Sequence, residues 1–262
     1  MAKWAWAGLA LVQLASPAFA ADAVSVPPGM SDAPCPAPQP GQFALDDHIL
    51  STDWAWQCRF RAENALVDLQ HPPRAVFIGD SITENWLAAD PDFFAYGSLS
   101  RGISGQTSPQ VLVRFYQDVV ALHPAVVHIM VGTNDIAGNT GPTSPVAYQN
   151  AVRAMVDLAK ANRIVVILGS IPPSIQFGWQ PAVRPGPWIA QLNLWLKEYA
   201  REQHLVFADY HAALAGPAGE LPAEFGPDGV HPNAAGYAVM RGVAQRALAE
   251  ADKRARKLHR SD

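Results

Sequence analysis

Short, continuous runs of apolar residues recur along the middle of the chain, and they are rich in β-branched side chains. Continuous runs, as opposed to alternating ones, are typical of strands buried on both faces of a parallel sheet. We therefore predict four strands and a weaker one at residues 96–100. The four stronger runs are residues 75–79, 125–131, 164–168 and 205–208.

Amphipathic segments separate these runs and carry helix start signals. Ser108 and Ser144 each stand directly before a proline, which is a common pairing of N-cap and first helical position. One helix is predicted to start near Trp188 and the last near Asn233. The alternation of strands and helices predicts one doubly wound domain, an α/β/α sandwich of three layers with about five parallel strands. A further helix is predicted over residues 54–69, with Asp53 as its N-cap.

The first 45 residues have a different character. Residues 4–15 are apolar but too few for a membrane span, and a small-x-small pattern ends at Ala20. We predict a signal peptide over residues 1–20, a leader rich in Pro and Ala over residues 21–45, and a single domain over residues 46–262. The chain is thus expected to be exported, to the periplasm or the cell exterior, with no integral membrane segment.

The only two cysteines are Cys35 and Cys58. An oxidising compartment would permit a disulfide between them, worth roughly 3 kcal/mol in the chain-entropy model. Two unpaired thiols are the alternative.

Charge and composition exclude some classes of function. The 262 residues carry a formal net charge of -4, and 16% of them are charged. A nucleic-acid partner is not expected, because phosphate binding requires a basic surface and the only basic cluster is at the very end of the chain.

Residues that could carry catalytic chemistry are expected near the carboxyl ends of the strands, because ligands bind there in such folds. Four segments stand out: residues 79–82 (GDSI), 101–105 (RGISG), 132–135 (GTND) and 228–232 (DGVHP). A serine at a strand-to-helix turn places its hydroxyl beside backbone amides, but it needs a base to become a nucleophile.

These segments supply the partners that such a nucleophile needs. His231 is the candidate base for Ser81, and Asp228 can hold its other ring nitrogen. The amide of Gly105 and the side chain of Asn134 can donate hydrogen bonds to an oxyanion, together with the amide of Ser81.

The four segments, in this order, resemble the four signature blocks of the SGNH hydrolases, also called GDSL esterases and lipases. The resemblance extends over residues 75–236 and is closest to members like platelet-activating-factor acetylhydrolase. It implies a flavodoxin-like sheet, no metal or organic cofactor, a triad of Ser81, Asp228 and His231, and an oxyanion hole of Ser81, Gly105 and Asn134. The chain departs from the family where Asn and Asp are frequent, having Ser100 and Gln106 instead. An α/β-hydrolase is disfavoured because G-x-S-x-G is missing: Thr83 stands two residues after the serine.

Other polar residues have plainer interpretations. Asp80 is expected to organise its turn and Asp135 to have a similar structural role, and His128 is expected to be a core histidine. His211, just after a predicted strand, is the best rival base, although no carboxylate is placed for it as Asp228 is for His231.

Substrate contacts are harder to predict. The Pro-rich segment 172–188 follows the predicted strand at residues 164–168. It either forms a wall of the substrate site, with Trp179 stacking on a sugar or acyl group, or merely packs onto the domain. Arg101 is a candidate for recognising an anionic group, or else a surface charge.

The expected function is hydrolysis of small-molecule or carbohydrate esters with short, above all acetyl, acyl groups. Lysophospholipase, arylesterase and O-acyl transferase activities are alternatives, and so is a non-catalytic binding protein of the cell envelope. The sequence predicts no oligomeric state.

Overall fold

A computed structural model describes Cys35 and residues 45–258 of the chain. Its sheet has five strands, all parallel, in the order β2-β1-β3-β4-β5. The strands are β1 (Ala75–Gly79), β2 (Ser98–Gly102), β3 (Val126–Met130), β4 (Val165–Gly169) and β5 (Val206–Ala208). This order is that of the flavodoxin-like doubly wound folds, so the predicted fold class is confirmed.

Helices connect the strands and cover both faces of the sheet. They are α1 (Asp47–Thr52), α2 (Arg61–Asn64), α3 (Ser81–Ala89), α4 (Pro91–Phe94), α5 (Ser108–Asp118), α6 (Thr133–Ala137), α7 (Pro145–Ala161), α8 (Pro185–Glu202), α9 (Tyr210–Leu214) and α10 (Ala234–Leu258), with a 3-10 turn at Val120–Leu122. None of the helices in this described part is long and apolar enough to cross a membrane.

The core has two halves, one on each face of the sheet. Along β1, Val76 and Ile78 belong to the half that includes residues of α5, α7 and α8. Phe77, the neighbour between them, belongs to the other half, which includes residues of α3, α4 and α10. Because successive side chains of a strand point to opposite faces, a fully apolar strand is what a sheet covered on both sides requires.

The predicted helix over residues 54–69 is wrong. The carboxylate of Asp53 does accept backbone N–H bonds, from Gln57 and Cys58, both at 2.8 Å. However, Trp56 takes a positive φ of 49°, which a helix cannot continue through, and only α2 is helical. The ring of Trp56 packs with Phe60 and other buried apolar residues, so tertiary packing overrides the local helix signal.

The segment is also fixed covalently. A disulfide joins Cys35 to Cys58 with a Cα–Cα distance of 5.3 Å, which confirms the predicted bridge. The predicted signal peptide and nearly all of the leader lie outside the described residues.

The helices α5, α7, α8 and α10 begin within three residues of their predicted starts. Ser144 caps α7, its hydroxyl accepting from the N–H of Ala147 at 3.1 Å. Helix α5 starts one residue earlier than predicted, with Thr107 as its N-cap instead of Ser108, while α8 starts at Pro185 instead of near Trp188.

Candidate active site

Ser81 is the first residue of α3, directly after β1. Its N-cap is Asp80, whose carboxylate accepts from the N–H of Ile82 at 3.0 Å. Gly79 is needed before it, because a Cβ there would lie 2.2 Å from the carbonyl oxygen of Met130. The tight turn thus places the serine at the carboxyl edge of the sheet, where it is 9% exposed.

A single loop before α10 brings a histidine and a carboxylate to this serine. Ser81 Oγ lies 2.9 Å from His231 Nε2, and His231 Nδ1 lies 2.7 Å from Asp228 Oδ2. A carboxylate can only accept, so the ring proton belongs on Nδ1 and leaves Nε2 free to accept from the hydroxyl. This is the geometry that a Ser-His-Asp triad requires.

Asp228 is itself held in the loop. Its Oδ1 accepts from the backbone N–H groups of Val230 at 2.9 Å and His231 at 2.7 Å. Burial alone would raise the pKa of Asp228, but these bonds and the imidazole bond together keep that pKa below its ordinary value. The carboxylate is therefore ionised at neutral pH and can stabilise an imidazolium.

The residues predicted for the oxyanion hole lie on two further strand ends. Gly105 takes a φ of +83°, a conformation that favours glycine. The loop before it is anchored by Glu84, whose Oε2 accepts from the N–H of Ser104 at 2.7 Å. Asn134, at the start of α6, is 3% exposed and donates from Nδ2 to the carbonyl of Gln106 at 3.0 Å.

A buried arginine lies beneath these segments. Arg114 is fully buried and donates to the carbonyl of Gly79 at 3.0 Å, to Gln106 Oε1 at 2.6 Å and to Asp118 at 3.0 Å. It therefore ties the strand end before Ser81 to the loop that contains Gly105. The oxygen that accepts from Arg114 at this position belongs to the neutral amide of Gln106, where the family often has Asp.

Sequence reasoning missed this arginine. Arg114 and Asp118 are four residues apart, which is the spacing of an exposed ion pair on a helix. Nothing in the sequence indicates that Arg114 is buried.

The two aspartates next to the site residues have structural roles, as predicted, although Asp135 holds the start of α5 and not its own turn. Asp135 accepts from the N–H of Ser108 at 2.9 Å, and Asp80 caps α3. Burial raises the pKa of Asp80 to about 7 and that of Asp135 to about 6.

The histidines that compete with His231 are placed elsewhere. His128 is fully buried and bonds to the hydroxyl of Tyr210 at 2.8 Å. Burial lowers the pKa of His128 to about 3, so it is a neutral core histidine, as predicted. His211 donates its backbone N–H to Ser170 Oγ at 2.9 Å, and the imidazole bonded to Ser81 is that of His231.

The two predicted substrate residues differ in position. Trp179 is 43% exposed, and its ring centroid lies 6.4 Å from that of His231. Arg101 is buried, donating to Asn64 Oδ1 and to the carbonyl of Ser100, both at 2.8 Å, and lying over the ring of Phe60. These contacts hold two of its guanidinium nitrogens within the protein. A contact of Arg101 with substrate stays a prediction, and the mechanism proposed below does not use it.

No group of three or more His, Cys, Asp or Glu side chains suited to a metal ion occurs among the residues that the structure describes.

Fold and site define a class of hydrolases, and comparison with known proteins identifies the family. The sequence model of the GDSL-like Lipase/Acylhydrolase family matches residues 77–239. The chain belongs to this family and is a carboxylic ester hydrolase. No curated protein matches the chain.

Several solved structures are similar. A provisionally assigned acylhydrolase of Bacteroides fragilis is 43% identical, with a TM-score of 0.72 over 76% of this chain and 98% of its own. A GDSL-like lipase of Bacteroides thetaiotaomicron is 39% identical, with a TM-score of 0.72 over 75% of this chain and 98% of its own. Axe2, an acetylxylan esterase of Geobacillus stearothermophilus, is 25% identical, with a TM-score of 0.55 over 66% of this chain and 93% of its own.

Proposed function

We propose that the protein is an exported serine esterase that removes short acyl groups, above all acetyl, with Ser81 as its nucleophile. The observation that carries the proposal is the pair of hydrogen bonds from Ser81 to His231 and from His231 to Asp228, at 2.9 and 2.7 Å. A serine hydroxyl is a weak nucleophile until a positioned base takes its proton, and His231 has that position.

The reaction has two steps. Ser81 Oγ attacks the ester carbonyl while His231 Nε2 takes the hydroxyl proton, and the negative oxygen that forms accepts from the N–H groups of Ser81 and Gly105 and from Asn134 Nδ2. When the intermediate collapses, the bond to the alcohol breaks and His231 returns the proton to the leaving oxygen. Water then attacks the acyl-enzyme by the same route, and the acid is released with Ser81 restored.

The preference for acetyl esters is supported by two observations. One similar structure is that of an acetylxylan esterase, and the segment before α8 places the exposed ring of Trp179 beside His231, where it could stack on a sugar. Export is supported by the pattern of the first 20 residues and by the disulfide, which is common in oxidising compartments.

Hydrolysis of p-nitrophenyl esters of graded chain length tests the proposal. Wild type should be fastest on acetate, and Ser81→Ala should abolish turnover while keeping the wild-type Tm. Asn134→Ala should retain activity lowered by about 10² to 10³. Ser51→Ala, at an exposed serine of α1, is the matched control and should be as active as wild type. Undiminished turnover in Ser81→Ala would refute the mechanism, and a maximum at long acyl chains would refute the acetyl preference.

The alternatives predict different products. An O-acyl transferase would move the acyl group to an added sugar or alcohol in preference to water, so product analysis with an acceptor separates it from a hydrolase. A lysophospholipase or arylesterase would favour its own ester class in the same assay. A binding protein of the cell envelope would show no turnover that depends on Ser81.

A further inference from the structure

Three hydrogen bonds run in series from the exposed Trp179 to the interior of the site. The indole Nε1 donates to Asn139 Oδ1 at 3.0 Å. Asn139 Nδ2 donates to Asn134 Oδ1 at 2.8 Å, and Asn134 Nδ2 donates to the carbonyl of Gln106 at 3.0 Å. The series therefore passes through the side-chain amide of Asn134, which we assign to the oxyanion hole, and ends on the carbonyl of Gln106.

The two ends of the series fix the direction of every bond in it. An indole N–H can only donate, and a backbone carbonyl can only accept. Asn139 must therefore turn its oxygen toward Trp179 and its NH₂ group toward Asn134. Asn134 must in turn present its oxygen to Asn139, which directs its own NH₂ group away, toward Gln106.

This direction matters for the chemistry. An amide NH₂ group has two N–H donors, and the bond to Gln106 uses one of them. The second is left for an oxyanion. If Asn134 were turned over, its oxygen would take that place and repel the negative charge that forms in the transition state.

The chain brings Asn139 back to Asn134 by a glycine turn. Helix α6 ends at Ala137, and its C-cap Gly138 has a φ of +71°. The N–H of Asn139 then donates to the carbonyl of Asn134 at 3.1 Å. Asn139 Nδ2 also reaches the carbonyl of Gly105 at 3.3 Å. One amide thus contacts both strand-end segments of the oxyanion hole.

Trp179 is held so that its N–H points at Asn139. Its ring stacks on Phe177, with centroids 5.0 Å apart and planes 16° from parallel. Phe177 is itself fully buried beside Ala137 and Val230. Phe177 therefore packs against one face of the indole and holds it in place, although Trp179 is 43% exposed.

We propose that Trp179 and Asn139 are positioning residues that set the orientation of the Asn134 amide in the oxyanion hole. Trp179 acts here through its N–H, in addition to any contact of its ring with substrate. The inference rests on the proposed function for its effect on turnover.

Trp179→Phe separates these two roles, because it keeps an aromatic ring on Phe177 and removes only the donor. We expect kcat to fall roughly tenfold with KM unchanged, as is typical for one hydrogen bond. Asn139→Ala should lower kcat by up to about 10², short of the loss of Asn134 itself. The matched control is Trp54→Phe, since Trp54 is 39% exposed and its indole N–H has no hydrogen-bond partner within residues 45–258; it should leave both constants unchanged.

A double-mutant cycle gives the sharper test. If Trp179 acts through Asn134, then Trp179→Phe should cost nothing further in an Asn134→Ala background. An equal loss in both backgrounds, or a loss confined to KM, would show that the ring contacts substrate directly and would overturn the inference.

A measurement that does not depend on turnover tests the positioning role separately from the proposed function. In NMR spectra, the side-chain NH₂ resonances of Asn134 should shift in Trp179→Phe and stay in place in Trp54→Phe. Unshifted resonances in Trp179→Phe would refute the positioning role even in an active enzyme. Wild type without turnover that depends on Ser81 would refute the proposed function, whatever the resonances do.

Discussion

Asp80 should make the folded protein less stable as pH rises. It is 2% exposed, at the turn before Ser81, and burial raises the pKa of its carboxyl from an ordinary value of 3.8 to about 7. Asp80→Asn keeps an oxygen that can accept from the N–H of Ile82, and asparagine is as good an N-cap as aspartate. The substitution therefore removes the buried charge with little change to the turn.

The two pKa values give the sign and the size of the effect. Below about pH 4 the carboxyl is neutral in both the folded and the unfolded states, and its ionisation contributes nothing. Between the two pKa values the unfolded chain loses the proton while the folded chain retains it, so stability falls as pH rises and levels off above about pH 7. The difference between the values corresponds to about 4 kcal/mol.

Urea unfolding of wild type and Asp80→Asn at several pH values measures this contribution. The stability of the variant relative to wild type should increase between pH 4 and pH 8, by up to about 4 kcal/mol. Asp209→Asn is the matched control: Asp209 caps α9 through the N–H of Ala212 but is partly exposed, so it should show no such gain. A relative stability of Asp80→Asn that is flat with pH, or that falls, would refute the reasoning.

Three further predictions concern the support of the site. Arg114→Met should leave the buried Asp118 without its ion-pair partner, although the neutral amide of Asn64 still donates to it. The change should cost about 3 to 5 kcal/mol in denaturant unfolding, whereas a loss below 1 kcal/mol would contradict this. Cys58→Ser, which opens the bridge to Cys35, should cost roughly 3 kcal/mol, and reduction of wild type should reproduce that loss in a thermal melt. Gly105→Ala should cost about 1 kcal/mol for its left-handed backbone and also lower kcat; unchanged kinetics would contradict a role of its amide in the oxyanion hole.

The sheet could be predicted because burial on both faces leaves a strong signal in the sequence. The run at residues 75–79 coincides with β1, whereas the weaker run at 96–100 becomes β2 two residues later, at Ser98–Gly102. Strand β2 contains the buried Arg101 and ends at Gly102, where a Cβ would lie 2.1 Å from the backbone nitrogen of Glu84. The close packing of Gly102 on α3 sets the end of the strand, and the hydropathy pattern of the sequence does not indicate this boundary.

The site could be predicted only as far as its residues follow strand ends. Ser81 lies within hydrogen-bond distance of His231, and His231 of Asp228, as expected. The serine directly follows β1 at the carboxyl edge of the sheet, where ligands bind in such folds, and the loop before α10 brings the other two residues to it. Their roles in catalysis remain predictions. Asn139 and Glu84 were missed because they bond to residues that follow other strands, Trp179 and Ser104 respectively, and a single sequence contains no record of those contacts.

The hydrogen bond between Ser81 and His231 connects residues that are 150 positions apart in the sequence. During synthesis the ribosome therefore makes Ser81, the proposed nucleophile at the start of α3, long before it makes the loop that contains His231, the proposed base. A nascent chain that stops just short of His231 already holds all five strands of the sheet but not the imidazole that we propose accepts the serine proton. The proposed mechanism therefore predicts that activity appears late in the maturation of the polypeptide, so that turnover would report the docking of the last helix.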